Sequence, residues 1–200
     1  MVLLNHENTI KEWFQFNPKK TFVDVGAYIG SYSLRAAKVG EEVIAIEPNP
    51  ESFAILSKNI KDNNFHNITA YNIALWSSEE ELILQLDQGS STIYHDSNER
   101  PKVKVKAVPL DKLKLKKINL LKIEVEDEEV EVLKGSTETL NRVDKIIIEV
   151  RERTKDTVDN NSRIINLSSK NETSPTRNQK YIIYCTRKLI EPIPPDASQR

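Results

Sequence analysis

An apolar run that stops at a glycine and turns straight into a helical pattern constrains this chain most: Val23-Asp24-Val25-Gly26-Ala27-Tyr28-Ile29-Gly30. Residues 21–25 have the length and β-branched content of a buried strand. Residues 30–39 then take helical spacing, with Ser33, Ala36 and Ala37 forming a small-residue face suited to close packing on a sheet. A second strand follows at 42–47. Asn49-Pro50-Glu51 reads as an N-cap, a first-turn proline and a first-turn acid, a well-marked helix start. Strands alternating with helices argue for a mostly parallel sheet with crossovers.

The alternation continues with a strand near 68–73, another near 119–125, a helix at 128–141 and a strand at 144–150. Ile146-Ile147-Ile148 has the continuous β-branched character of a strand covered on both faces. Leu82-Ile83-Leu84-Gln85-Leu86 and Lys102-Val103-Lys104-Val105-Lys106 read as two half-exposed strands paired around the polar loop 87–101. Ile10, Trp13 and Phe14 predict a short amphipathic helix over 6–16, ending before Pro18. The pattern weakens after Val150. Residues 151–180 read as a loop or poorly packed element, Tyr181-Ile182-Ile183-Tyr184-Cys185 as a final strand, and the proline-rich tail as irregular. The expected organisation is a single domain over 1–200: an amino-terminal helix in 1–19, a core in 20–150, and a weakly patterned segment in 151–200.

Composition removes several function classes. Twenty-nine basic and thirty acidic side chains give a net charge of -1, with no bulk pull toward nucleic acid or anionic membrane. No apolar run approaches the roughly 20 residues of a membrane span. Met1-Val2-Leu3-Leu4-Asn5-His6-Glu7 lacks the basic-then-apolar order of a secretory signal, so a soluble cytoplasmic protein is expected. The single cysteine, Cys185, excludes an internal disulfide and any multi-cysteine zinc site.

The glycine turn suggests a ligand. Glycine lets backbone approach a bound molecule closely. Glu47 ends the next strand, 23 residues after Asp24, where a carboxylate can accept hydrogen bonds from both ribose hydroxyls of an adenosine. Dinucleotide sites prefer G-x-G-x-x-G, whereas this chain has D-x-G-x-x-x-G. Asp24 stands where the first glycine would be, and its charge opposes a pyrophosphate. S-adenosylmethionine, which carries a sulfonium and an amino group, fits better.

These residues also carry a resemblance. Asp24-Val25-Gly26-Ala27-Tyr28-Ile29-Gly30 and Ile46-Glu47-Pro48-Asn49-Pro50 resemble the first two cofactor motifs of class I S-adenosylmethionine-dependent methyltransferases. Asn72-Ile73-Ala74-Leu75 resembles the segment bordering the adenine. Leu121-Lys122-Ile123-Glu124-Val125-Glu126-Asp127-Glu128-Glu129-Val130-Glu131-Val132-Leu133-Lys134-Gly135 is similar to the K-I-D-V-E-G-x-E…V-L-x-G block of the FkbM family. The resemblance spans roughly 20–150. It implies an α/β, Rossmann-like class I methyltransferase fold: a mostly parallel central sheet, helices on both faces, and an antiparallel carboxyl-terminal strand. It implies S-adenosylmethionine as cofactor and O-methylation of a hydroxyl on a small molecule or sugar. Asp24, Gly26, Ala27, Tyr28, Gly30, Glu47, Pro48, Asn72, Ala74 and Leu75 would then serve the cofactor.

Two departures stand out: the family's Asp is Glu124, and its Gly is Asp127. First-turn carboxylates such as Asp127, Glu128 and Glu129 are accounted for by the helix macrodipole. Glu124 and Glu126, near the carboxyl end of a central strand, are expected on the acceptor side. His95, in the loop Ser90-Ser91-Thr92-Ile93-Tyr94-His95, is a third candidate for the proton-accepting group. No metal ligand set is assigned. Lys102, Lys104, Lys106, Lys112, Lys114, Lys116 and Lys117 alternate with apolar residues along much of their run, as on a solvated strand face. Nucleic acid and membrane are therefore not expected as partners. With little chain beyond the sheet, a substrate lid is short or comes from a second copy in a homo-oligomer. Two other readings use the same residues: an RNA methyltransferase, or a non-catalytic cofactor-binding or partner-binding module. Glu124-Val125-Glu126 speaks against base methylation, which typically uses an Asn/Asp-Pro-Pro-aromatic turn.

Overall fold

The computed structural model describes residues 14–86, 92–93, 101–151, 167–172 and 180–187. Strand β1 (Thr21–Val25) leads through the glycine turn into α1 (Ser31–Lys38), and β2 (Glu42–Ile46) into α2 (Pro50–Asp62). Then come β3 (Ile68–Tyr71), β4 (Ala74–Leu75), β5 (Glu80–Gln85), β6 (Thr92–Ile93), β7 (Lys102–Val108) and a 3-10 turn (Leu110–Leu113). Strand β8 (Ile118–Ile123), helices α3 (Glu129–Lys134) and α4 (Thr137–Leu140), and strands β9 (Val143–Arg151), β10 (Leu167–Glu172) and β11 (Lys180–Arg187) complete the order.

The main sheet has the order β10-β11-β9-β8-β1-β2-β3. Strands β9, β8, β1, β2 and β3 run parallel, and β11 is antiparallel to β9. The expected architecture is therefore present, down to the reversed carboxyl-terminal strand. Alternation along the strands divides the core. Val23, Val25, Leu121, Ile123, Ile146 and Ile148 face a cluster completed by Val132, Leu133 and Leu140 of α3 and α4. Phe22, Val43, Leu120 and Ile147 face the opposite way, onto Ala36 and Ala37 of α1. Ala45 packs on Leu56 of α2 on that same side.

Local chemistry explains the element ends. Asn49 caps α2 as its sequence announces, accepting the N–H groups of Glu51 and Ser52 at 2.9 and 3.4 Å. The hairpin expected around 87–101 is β5 paired antiparallel with β7, Leu84 opposite Val103. Most of its loop lies outside the described residues. Together with β4 and β6 these strands form a second sheet, inserted in the connection from β3 to β8.

Three expectations change. The helix expected over 128–141 is broken in two. Gly135 lies against the Trp76 carbonyl, and Asp111 accepts the N–H groups of Thr139 (2.7 Å) and Glu138 (3.1 Å), which starts α4 afresh. These bonds hold the Asp111 carboxyl below its ordinary value although burial works to raise it. Within the expected helix 6–16, residues 14–16 are not helical, and 6–13 lie outside the described residues. Phe14 and Phe16, two positions apart, both reach the Phe22 ring, at 6.5 and 5.1 Å between centroids. An extended segment allows that geometry; a helix does not. Finally, part of 151–180 forms β10, an edge strand whose backbone pairs with β11 despite its polar sequence.

Gly135 joins the second sheet to the α3–α4 corner. A Cβ there would stand 2.0 Å from the Trp76 oxygen and 3.2 Å from the Pro109 Cα. Gly135→Ala is expected to lower unfolding stability by about 1–3 kcal/mol, the scale of overpacking, in urea melts. An unchanged midpoint would show that this corner yields freely.

Candidate functional site

The candidate site lies at the carboxyl ends of β1, β2 and β8, the edge at which open α/β sheets take ligands. Its base is set by register. In the parallel pairing of β1 with β8, Asp24 stands opposite Lys122, and both side chains point to the α1 side. The Lys122 ammonium, on a residue only 4% exposed, lies 3.1 Å from Asp24 Oδ1, and Ser33 of α1 donates its hydroxyl hydrogen to Asp24 Oδ2 at 2.7 Å. Lys122 also donates to the Gly26 carbonyl oxygen at 3.1 Å, lies 3.1 Å from Glu124 Oε2, and sits 5.5 Å from the Tyr32 ring centroid. Burial works to lower the Lys122 pKa, but the charges of Asp24 and Glu124 outweigh it and hold the group above its ordinary value.

The glycine turn adopts a left-handed backbone at Gly26 (φ 77°), Tyr28 (φ 52°) and Gly30 (φ 95°). At Gly26 this need coincides with a lack of room, because a Cβ would stand 1.8 Å from the Glu124 carbonyl oxygen. The N–H groups of Gly26 and Ala27 both donate to the Ile46 oxygen at 3.0 Å, and that of Gly30 to the Ala27 oxygen at 2.8 Å. The Tyr28 N–H donates to Glu47 Oε2 at 2.8 Å, and the Asn49 N–H to Glu47 Oε1 at 2.8 Å. These four turn donors are directed inward, so the turn is poorly equipped to cradle a phosphate. Asp24 was expected to repel a pyrophosphate by its charge. It instead lies fully buried beneath the turn beside Lys122, and the engaged N–H groups supply the physical obstacle.

Glu47, 6% exposed, links the turn to β2, and burial raises its pKa against the opposing Asn49 and Tyr28 hydrogen bonds. Asn72 closes the same corner from β3, donating to the Glu47 and Pro48 carbonyl oxygens at 2.8 and 3.0 Å. Ala74 and Leu75 are buried, Ala74 in the second sheet's apolar layer and Leu75 in the main core. Tyr28 is about half exposed.

On the other side, the turn after β8 has left-handed backbone at Glu126 (φ 53°) and Asp127 (φ 88°). Asp127 thus occupies, as a non-glycine residue, a conformation that glycine takes without strain. Arg151, at the end of β9, engages both residues: its guanidinium lies 2.6 Å from Glu126 Oε2 and 3.1 Å from Asp127 Oδ2. Glu129, 1% exposed, accepts the Asp127 N–H at Oε1 (3.1 Å), while its Oε2 has no hydrogen-bond partner among the described residues. Glu124, Glu126, Glu129 and Arg151 border one shallow depression. His95 lies outside the described residues. Among the described residues, no group of three or more His, Cys, Asp or Glu is arranged to hold a metal ion.

Lys122, Ser33, Glu129 and Arg151 escaped the reading of the motifs. Lys122 had a visible signal, a lone cation inside the apolar strand Leu120-Leu121-Lys122-Ile123. The pairing of Arg151 with residues 25 and 24 positions earlier had none.

Comparison with known families matches residues 24–176 to the Methyltransferase FkbM domain. The chain belongs to the FkbM methyltransferase family. It is 29% identical over 131 residues to the hexuronic acid methyltransferase AglP of Haloferax volcanii, covering 64% of this chain and 54% of that protein. It is 26% identical over 157 residues to Methyltransferase 1 of Beauveria bassiana, covering 64% and 63%. The chain thus spans less than two thirds of the length of either relative. Among solved structures, the FkbM methyltransferase of Methylobacillus flagellatus KT superposes with a TM-score of 0.63 at 19% identity, over 86% of this chain and 44% of that one. The precorrin-6y C5,15-methyltransferase of Geobacter metallireducens gives 0.62 at 13% identity, over 94% and 90%. M. capricolum TrmK, solved with S-adenosylhomocysteine, gives 0.60 at 12%, over 94% and 70%. The shared fold is that of Rossmann-like methyltransferases. No helix among the described residues is long and apolar enough to cross a membrane.

Burial raises the Glu129 carboxyl from 4.5 to about 7; N–H groups of Glu129 and Asp127 oppose this, and the Asp127 charge adds to it. The folded chain therefore keeps this proton in a window where the unfolded chain has released it. Stability should fall as pH rises from 4.5 to about 7, by up to about 3 kcal/mol, and level off above. Urea unfolding of wild type and Glu129→Gln across that window should show the slope reduced in the variant. Identical slopes would mean that Glu129 ionises normally.

Proposed function

We propose that this chain is an S-adenosylmethionine-dependent methyltransferase acting on a hydroxyl group of a small molecule or sugar. The observation that carries the reading is the interlock of turn and carboxylate. Four of the five N–H groups of the Gly26–Gly30 turn are directed inward onto Ile46, Ala27 and Glu47, which favours S-adenosylmethionine over a ligand that needs those donors for a pyrophosphate. Gly26, Ala27, Tyr28 and Gly30, braced from below by Asp24, would hold the amino-acid end of the cofactor. Glu47 and Pro48 would hold the ribose, with Asn72, Ala74 and Leu75 on the adenine side. Glu47 is already bound to two N–H groups, yet a carboxylate has about four acceptor positions, so hydroxyl donors can still be met.

When bound, the cofactor supplies a methyl group made electrophilic by a sulfonium. The chain's own contribution is positioning, exclusion of water and acceptance of the hydroxyl proton. Glu124 and Glu126 are proposed on the acceptor side, with a carboxylate oxygen or His95 receiving that proton. Membership of the FkbM family supports methyl transfer, and likeness to a hexuronic acid methyltransferase supports a sugar acceptor. The basic run supports a small acceptor over RNA. Lys104, Lys106, Lys112 and Lys117 each lie within 4 Å of a carboxylate, on Glu81, Glu79, Glu79 and Asp144.

Calorimetry with S-adenosylhomocysteine and with NAD tests the cofactor. Binding of the former alone is expected, and tighter binding of NAD would overturn the reading. Glu47→Gln should weaken S-adenosylhomocysteine by roughly 10–100-fold, the scale of a hydrogen bond to a charged group. An unchanged affinity would leave Glu47 as a brace of the turn only. Methyl transfer from labelled S-adenosylmethionine to neutral sugars, uronates and RNA then separates the acceptor classes, and labelling of RNA alone would reverse the choice.

A further inference from the structure

We infer that Lys122 is the positioning residue of the proposed cofactor site, its ammonium fixing the glycine turn and the Glu124 carboxylate relative to each other. Three oxygens surround this ammonium at 3.1 Å: Asp24 Oδ1 on β1 as an ion-pair contact, the Gly26 carbonyl in the turn as its hydrogen-bond acceptor, and Glu124 Oε2 at the end of β8 as a second ion-pair contact. Neutralising Asp24 alone would need only the first. The other two contacts reach upward from the sheet, one to each side of the site.

Gly26 is left-handed and has the backbone oxygen of Glu124 directly against it. The Glu124 N–H donates to the Val25 oxygen at 3.0 Å just below the turn, and the Lys122 donation to the Gly26 oxygen adds a tie to the turn itself. Burying a lysine in an apolar strand is costly, and an apolar residue would pack there without that cost. The Asp24 carboxylate is fully buried and the Glu124 side chain is 34% exposed, so Lys122 connects a covered carboxylate to one that faces the depression. The turn is thereby shaped before a ligand arrives, and cofactor affinity depends on Lys122 although the side chain is almost wholly covered.

The inference rests on the cofactor reading above, and the test separates the two. The double variant D24N/K122M removes both fully buried charges and leaves only the partly exposed Glu124 without its cation, so it should melt cooperatively. Its affinity for S-adenosylhomocysteine by calorimetry should fall at least roughly tenfold, the equivalent of one lost hydrogen bond to a charged group. D24N alone leaves Lys122 on Gly26 and Glu124 and should lose less than the double variant. Wild-type affinity in the double variant, or an equal loss in D24N alone, would overturn the inference while sparing the cofactor reading. Failure of wild type to bind S-adenosylhomocysteine would remove both. Should the double variant not fold, the wild type decides: the Lys122 ammonium resonance should shift on saturation with S-adenosylhomocysteine, and an unmoved resonance would overturn the inference.

Discussion

The pairing of Asp24 with Lys122 across two adjacent parallel strands is the interaction on which the upper edge of this sheet depends. Both groups are buried, and neither would be stable there alone. Removing one member of such a pair costs about 3–5 kcal/mol, because the other is left uncompensated, whereas replacing both by apolar groups is often neutral. A buried pair is therefore weak evidence of stability for its own sake. Here it brings the Gly26 oxygen and the Glu124 carboxylate onto the same ammonium and joins β1, the glycine turn and β8 into one rigid corner. Ser33, from the first helix beyond the turn, takes the remaining Asp24 oxygen and ties that helix to the corner.

Glu47 performs the corresponding task between β1 and β2. One oxygen takes the Tyr28 N–H of the turn and the other the Asn49 N–H at the cap of α2. Asn72 then fixes the backbone at Glu47 and Pro48 from the next strand. The carboxyl ends of four neighbouring strands are thus held by side chains that also face, or directly support, the candidate site. Interactions that build the fold and interactions that shape the site are here largely the same.

The acidic turn after β8 is organised differently. Two consecutive left-handed residues, Glu126 and Asp127, carry a backbone cost of about 1–2 kcal/mol each. Arg151 offsets it by engaging both side chains, and Glu129 by accepting the Asp127 N–H. This accounts for an Asp where the family pattern has Gly. Asp127 holds its positive backbone angle of 88° and supplies a partner for Arg151.

The alternating strands and helices, the capped start of α2 and the hairpin of β5 and β7 were legible in the sequence, because each depends on periodicity or on capping within a few residues; the reversal of the last strand was implied only by the family resemblance. The proximity of Glu47 to the glycine turn was legible for the same reason, since the two lie one crossover apart. The break at Gly135 was not: it depends on the Trp76 carbonyl and on Asp111, which come from distant parts of the chain. Nor was the role of Asp24. Its charge is plain in the sequence, but only the register of β1 with β8 sets Lys122 opposite it and turns a candidate ligand contact into the buried brace of a turn. The sequence by itself determined the order of elements and the residue types at the sheet's upper edge, since local hydrogen bonding and hydrophobic periodicity act over short separations. Which of those charges face each other was decided by tertiary structure, because ion pairing depends on distance in space and the strands that meet here are nearly a hundred residues apart.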